Sequence, residues 1–213
     1  MHESKVSDKV IKKLQRFVET GGYLFTEDLN IEEIIERAFK GYITHTKFLP
    51  EKDVPILPGS GAALHPYLKY VFEAAPSSSS DGPSASEGNK SDETKSVKPG
   101  ELRIDAEWKI DNESPDIKVL NKKVTVLIMS PKLVTKTNTD GAVAVTFGLS
   151  AGNIVTTGSG DEKGSSSYQG GGRVLHVMSH FGKQKSKVDE FALQNLILNF
   201  IMEVNERRPR VKK

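Results

Sequence analysis

The sequence predicts a layered domain of the α/β or α+β class, with helices packed on a sheet. Three observations carry that expectation. An amphipathic helix, a Gly-Gly pair and a short β-type run follow one another near the start, four further β-type runs fill the middle, and a long helical pattern comes last. The 213 residues, 36% of them hydrophobic, suffice for one core, so a single domain over 1–213 is expected.

The first helix is expected over residues 10–20, where Val10, Ile11, Leu14, Phe17 and Val18 recur at helical spacing and Lys12, Lys13, Gln15, Arg16 and Glu19 fill the other face. Gly21 and Gly22 supply the left-handed residue that ends such a helix, and Tyr23-Leu24-Phe25-Thr26 then reads as a short buried strand. Past Glu27 and Asp28, Asn30 is the expected N-cap of a second helix, with Glu32 and Glu33 in its first turn and Ile31, Ile34, Ile35, Ala38 and Phe39 as its apolar stripe. Residues 41–58 alternate between strand residues such as Tyr42, Ile43, Val54 and Ile56 and the prolines 50, 55 and 58, a pattern of edge strands or extended loop. Pro66 suits a first helical position, and Leu68, Val71 and Phe72 follow on one face.

Two low-complexity insertions are expected, at about 76–100 and 148–172. The first is dominated by Ser, Gly, Pro and charged residues and has Val97 as its one large aliphatic side chain, too little apolar surface to offset the entropy of ordering. Beyond it, Leu102, Ile104, Ala106 and Trp108 alternate with polar residues as a strand with one wet face. The uniformly apolar run 124–129 reads as a central strand, and residues 142–147 and 173–179 as two more. A last helix is expected over 188–204, with Phe191, Leu193, Leu196, Ile197, Phe200, Ile201 and Val204 on one broad face.

Composition excludes several functions. There is no cysteine, hence no disulfide, thiolate metal site or cysteine nucleophile. Thirty Lys and Arg against twenty-eight Asp and Glu give a net charge of +2, too small a field to make nucleic acid the default partner. No apolar run approaches the roughly 18 residues of a membrane helix and no signal-type segment opens the chain, so a soluble, cytoplasmic protein is expected.

Among candidate motifs, His176 and His180 are four apart, but strand rise would separate them by roughly 13 Å, too far for joint chelation. The run Gly158-Ser159-Gly160-Asp161-Glu162-Lys163-Gly164 has the letters of a dinucleotide loop without a strand before it or a helix after it. Arg207, Arg208, Arg210, Lys212 and Lys213 form a basic tail, as expected beyond a helix C-terminus. His180 lies where a strand ends before Phe181-Gly182, and Glu27 and Asp28 lie where another ends, the places at which open α/β sheets form ligand crevices. If the two strands are parallel neighbours, the three side chains share one rim and bind a small polar ligand through charge-assisted hydrogen bonds. No metal and no cofactor is read from the sequence.

The segment Phe17-Val18-Glu19-Thr20-Gly21-Gly22-Tyr23-Leu24-Phe25-Thr26 resembles the helix, Gly-Gly, hydrophobic strand portion of class I glutamine amidotransferase-like domains, of the trehalose-utilisation-like branch. The run Gly171-Gly172-Arg173-Val174-Leu175-His176-Val177-Met178-Ser179-His180 is similar to a late strand of that branch that ends in a Ser-His or Gly-His pair, and His65-Pro66-Tyr67-Leu68 and the strand at 142–147 are similar in placement. The resemblance covers about two-thirds of the chain and implies a flavodoxin-like or amidotransferase-like layering, with the opening strands of that fold missing or supplied elsewhere. It also implies a catalytic cysteine, which this chain lacks, and Phe181 follows His180 where the family has a proline and glutamate.

The function expected is therefore a catalytically silent amidotransferase-like domain that binds a small molecule, a protein partner or a second copy of itself. The alternatives are a hydrolase using His180 with a carboxylate, since adjacent Ser179 points to the opposite face, and a nucleic-acid-associated protein acting through the basic tail. Absent opening strands would leave a sheet edge for a partner to cover.

Overall fold

The computed structural model describes residues 6–73, 103, 105–111, 113–149 and 171–207. The chain runs through α1 (Asp8–Glu19), β1 (Tyr23–Glu27), a π-helical turn (Ile31–Ile35) continuing as α2 (Glu36–Ala38), the short strands β2 (Ile43–Thr44), β3 (Phe48–Leu49), β4 (Asp53–Pro55) and β5 (Leu57–Pro58), and a 3-10 turn (Pro66–Leu68). There follow β6 (Glu107–Lys109), β7 (Ser114–Pro115), β8 (Lys118–Val119), β9 (Thr125–Met129), α3 (Pro131–Thr137), β10 (Ala142–Gly148), β11 (Arg173–Val177) and α4 (Lys187–Arg207). The insertion at 76–100, most of that at 148–172, the glycine run at 158–164 and the tail beyond Arg207 lie outside the described residues.

A mixed sheet of five strands in the order β1-β11-β10-β9-β5 forms the centre. β1 and β11 are parallel, in register Glu27 to Val177, and the other three pairings are antiparallel. Its middle is dry. Val143, Val145, Leu127, Val174, Leu175 and Val177 are fully buried, each stabilising the fold by roughly 1.5–3 kcal/mol. Beside the sheet, residues 43–55 and 107–119 pair as three nested antiparallel steps, β2 with β8, β3 with β7 and β4 with β6. Pro50 and Pro55 lack the amide hydrogens of a continuous ladder, which accounts for the short pieces. Buried Asp116 holds the ribbon by accepting from Thr46 N, Thr46 Oγ1 and Lys47 N at 2.6, 2.7 and 2.9 Å.

The two glycine motifs meet in one contact. Gly21 takes φ +104° after α1, and Gly22 N donates to Phe17 O at 2.8 Å. At the start of β11, Gly172 N donates to Val18 O at 2.7 Å, and a Cβ there would stand 1.8 Å from Gly22 O. Only glycine allows the end of α1, the start of β1 and the start of β11 to close together.

Several expectations need correction. The Asn30 helix is a π-helical turn and three further residues, and the Asn30 side chain donates to Glu27 O instead of capping it. The strand expected over 102–108 is confined among the described residues to β6, with Asp105 exposed. In α1 Ile11 and Val18 are buried, whereas Val10 and Phe17 are about half exposed. The broad face expected on α4 narrows to Ala192, Leu193, Leu196 and Phe200, with Phe191 and Ile201 exposed. α3 has no helical periodicity to announce it: its apolar content is Leu133 and Val134, and Pro131 at its start with left-handed Asn138 at its end are its clearest signals. No helix among the described residues is long and apolar enough to cross a membrane.

Candidate functional site

Parallel pairing puts the C-terminal ends of β1 and β11 side by side, as Glu27 pairs with Val177 and Asp28 N donates to Val177 O at 2.9 Å. The chain turns sharply on both. Asp28 adopts φ +44°, a left-handed conformation that aspartate tolerates better than most residues, and Gly182 takes φ +71°. Phe181 packs edge-on against Phe25, the centroids 5.9 Å apart, which holds the loop after β11 down on β1.

The structure brings the three expected residues together. His180 Nδ1 lies 3.4 Å from Glu27 Oε2, and Nε2 lies 3.2 Å from Asp28 Oδ2. A fourth residue joins them. Asp111 Oδ2 lies 3.3 Å from the same His180 Nε2, and Lys183 donates to that Asp111 oxygen at 2.7 Å. Asp111 stands in the ribbon between β6 and β7, and an Ile110–Ser179 bridge ties the ribbon to the loop after β11. Gln184 completes the tie: its Oε1 accepts from Lys109 N at 2.8 Å, and its Nε2 donates to Ser179 Oγ at 2.7 Å and to His180 O at 3.0 Å. Asp111 is not expected from the sequence, because its only local signal is an acid at the end of a short strand. Its approach to His180 comes from pairing across 69 positions.

The cluster is anionic. The Lys183 hydrogen bond, opposed in part by burial, holds the Asp111 carboxyl below its usual range. The Lys183 ammonium is raised by the same bond, and the charges of Asp28 and Glu27 add to that. Asp28 is the most enclosed member, its side chain 8% exposed, and its Oδ1 has no hydrogen-bond partner among the described residues. A cavity of about 390 Å³ lined by Asp28, Leu29, Phe48, Asp111 and Glu113 opens beside the cluster. Larger clefts lie elsewhere, one of about 780 Å³ along α1 and α2 and an apolar one of about 740 Å³ between α1, β1 and α4, and neither contains a member of the cluster.

The chain matches no family model, no curated protein and no solved structure. The chemistry is therefore read from the residues. Ser179 is fully buried and its Oγ donates to Lys109 O, so it is not placed as a nucleophile for His180. His176 is separate from the cluster: it is fully buried on β11, and its Nδ1 shares a hydrogen bond with Thr26 Oγ1 at 2.9 Å. Trp108 and Tyr67 are core residues, 0% and 2% exposed. What remains at the rim is one imidazole among three carboxylates, a set that binds cations and hydrogen-bond donors.

Proposed function

We propose that the chain is a non-catalytic α/β binding domain, similar in plan to class I glutamine amidotransferase-like domains, that takes a small polar ligand at the rim beyond β1 and β11. The observation that carries this reading is the His180 imidazole between Glu27 and Asp28 at the shared C-terminal end of a parallel strand pair. The amidotransferase likeness draws on the glycine contact of α1, β1 and β11, and silence draws on the absence of cysteine and the burial of Ser179. Screening polar fragments while following the His180 ring resonances tests the site. Ligands that shift those signals, and lose affinity in His180→Ala, are the expected result. Steady ammonia release from glutamine, or ester or amide turnover abolished by His180→Ala, would instead favour the hydrolase.

A protein-interaction role is the second reading, favoured by the edge position of β1 in the described sheet and by half-exposed Phe17 and Ile201 beside it. Its occupant would be a second copy of the chain. Sedimentation that stays monomeric at high concentration removes this reading, and a dimer dispersed by Phe17→Glu supports it.

A further inference from the structure

We propose that Asp28, Asp111 and His180 form a site for one divalent transition-metal cation of the Zn2+ or Mn2+ class, with Glu27 as its positioning residue. The inference rests on the rim reading above and names the ligand.

A neutral imidazole carries one N–H and one lone pair, but carboxylate oxygens approach both nitrogens of His180. When Nδ1 donates to Glu27 Oε2, the Nε2 lone pair faces Asp28 Oδ2 and Asp111 Oδ2 at 3.2 and 3.3 Å, a meeting of acceptors that a bound cation or one further proton relieves. The spacing admits an ion. Ligand atoms about 2.0–2.2 Å from a tetrahedral cation stand about 3.3–3.6 Å from one another. One donor atom from each of the three residues lies within 4.8 Å of the other two, and among the described residues this is the group so arranged.

Asp28, more than nine-tenths buried, keeps Oδ1 without a hydrogen-bond partner among the described residues, a buried cost that coordination through that oxygen would offset. One imidazole and two carboxylates suit zinc or manganese better than magnesium, which takes oxygen and water. Glu27, accepting from Nδ1, fixes the tautomer that turns the Nε2 lone pair inward, the usual relation of a carboxylate to a metal-bound histidine. The cavity beside Asp28 and Asp111 leaves room for water or a ligand atom in the open coordination position. Lys183 competes for Asp111 Oδ2 and must swing aside, which its half-exposed side chain permits.

Calorimetric titration of the chelator-stripped full chain with Zn2+ tests the proposal, together with Mn2+ broadening of the His180 ring resonances. One ion per chain is expected, bound about 10–100 times more weakly in Asp111→Asn and Glu27→Gln, and more tightly in Lys183→Met, where the competing ammonium is gone. Asp28→Asn keeps a residue that accepts the left-handed backbone and should also weaken binding. Absence of saturable binding, retention of full affinity in Asp111→Asn, or no gain in Lys183→Met would overturn the site. The rim reading fails separately: fragments that shift His180 without any metal binding leave it standing, whereas loss of both removes both.

Discussion

The hydroxyl of Thr26 and Nδ1 of His176 lie 2.9 Å apart across β1 and β11, both side chains buried, while Nε2 of His176 has no partner among the described residues. Burial alone pushes the His176 pKa from 6.5 down to about 3. Below pH 6.5 the unfolded chain takes up a proton that the folded chain refuses until about pH 3. Stability is therefore fully present above that window and falls as acid is added through it, by on the order of 5 kcal/mol at the limit. Denaturant midpoints measured between pH 7 and 4 should show this slope, and it should flatten in the double variant Thr26→Val/His176→Leu, which removes both polar partners at once. An unchanged slope in that variant would assign the acid limb to other groups.

Gly172→Ala should be among the most damaging single changes. Its Cβ would meet backbone oxygens of Gly22 and Val18 at 1.8 and 2.5 Å, which side-chain adjustment cannot relieve. A loss of about 2–4 kcal/mol is expected in equilibrium unfolding. Gly182→Ala, with nothing within 4 Å of its Cβ, should cost about 1–2 kcal/mol through its positive φ.

Residues 77–98 should be replaceable by a short Gly/Ser linker. Arg103 N donates to Phe72 O at 2.7 Å, so the described chain departs and returns at one point, and loop-closure entropy varies only slowly with length. The thermal midpoint should stay within a few degrees, and a large drop would show that the segment packs on the core.

Gln184→Leu should impair the rim while sparing the fold. Gln184 joins the Lys109 amide to the Ser179 hydroxyl and the His180 carbonyl, and through that link it fixes Asp111 relative to the imidazole. Metal or ligand affinity should fall about tenfold or more, with at most a small shift in midpoint. Equal affinity in the variant would locate the positioning in the Ile110–Ser179 bridge instead.

What could be read from the sequence was whatever a side chain announces locally. The apolar run around Leu127 and the strand patterns around Val143 and Leu175 became the sheet interior, and Pro66 did begin a helical turn. Glu27, Asp28 and His180 came together because the ends of two strands and one parallel pairing sufficed to place them. Phe17 and Ile201 misled because helical spacing marks apolar residues without saying what covers them. Asp111 could not be read, since its partner is chosen by a ribbon of two- and three-residue strands with little intrinsic preference.

The pairing of β1 with β11 also orders events in time. Residues 23–27 leave the ribosome about 150 positions ahead of residues 173–177, their partners in the sheet. Such a long-range parallel contact forms slowly, since a large loop must close before any ladder bond rewards it. β1, with Tyr23, Leu24 and Phe25 still unsheltered, must wait while the roughly 150 residues up to β11 are made, and the glycine contact of Gly22 with Gly172 can lock only after it. Chaperone dependence in the cell should therefore track the delay before β11 emerges, and a circular permutant that brings the two strands close in sequence should refold faster than the native order.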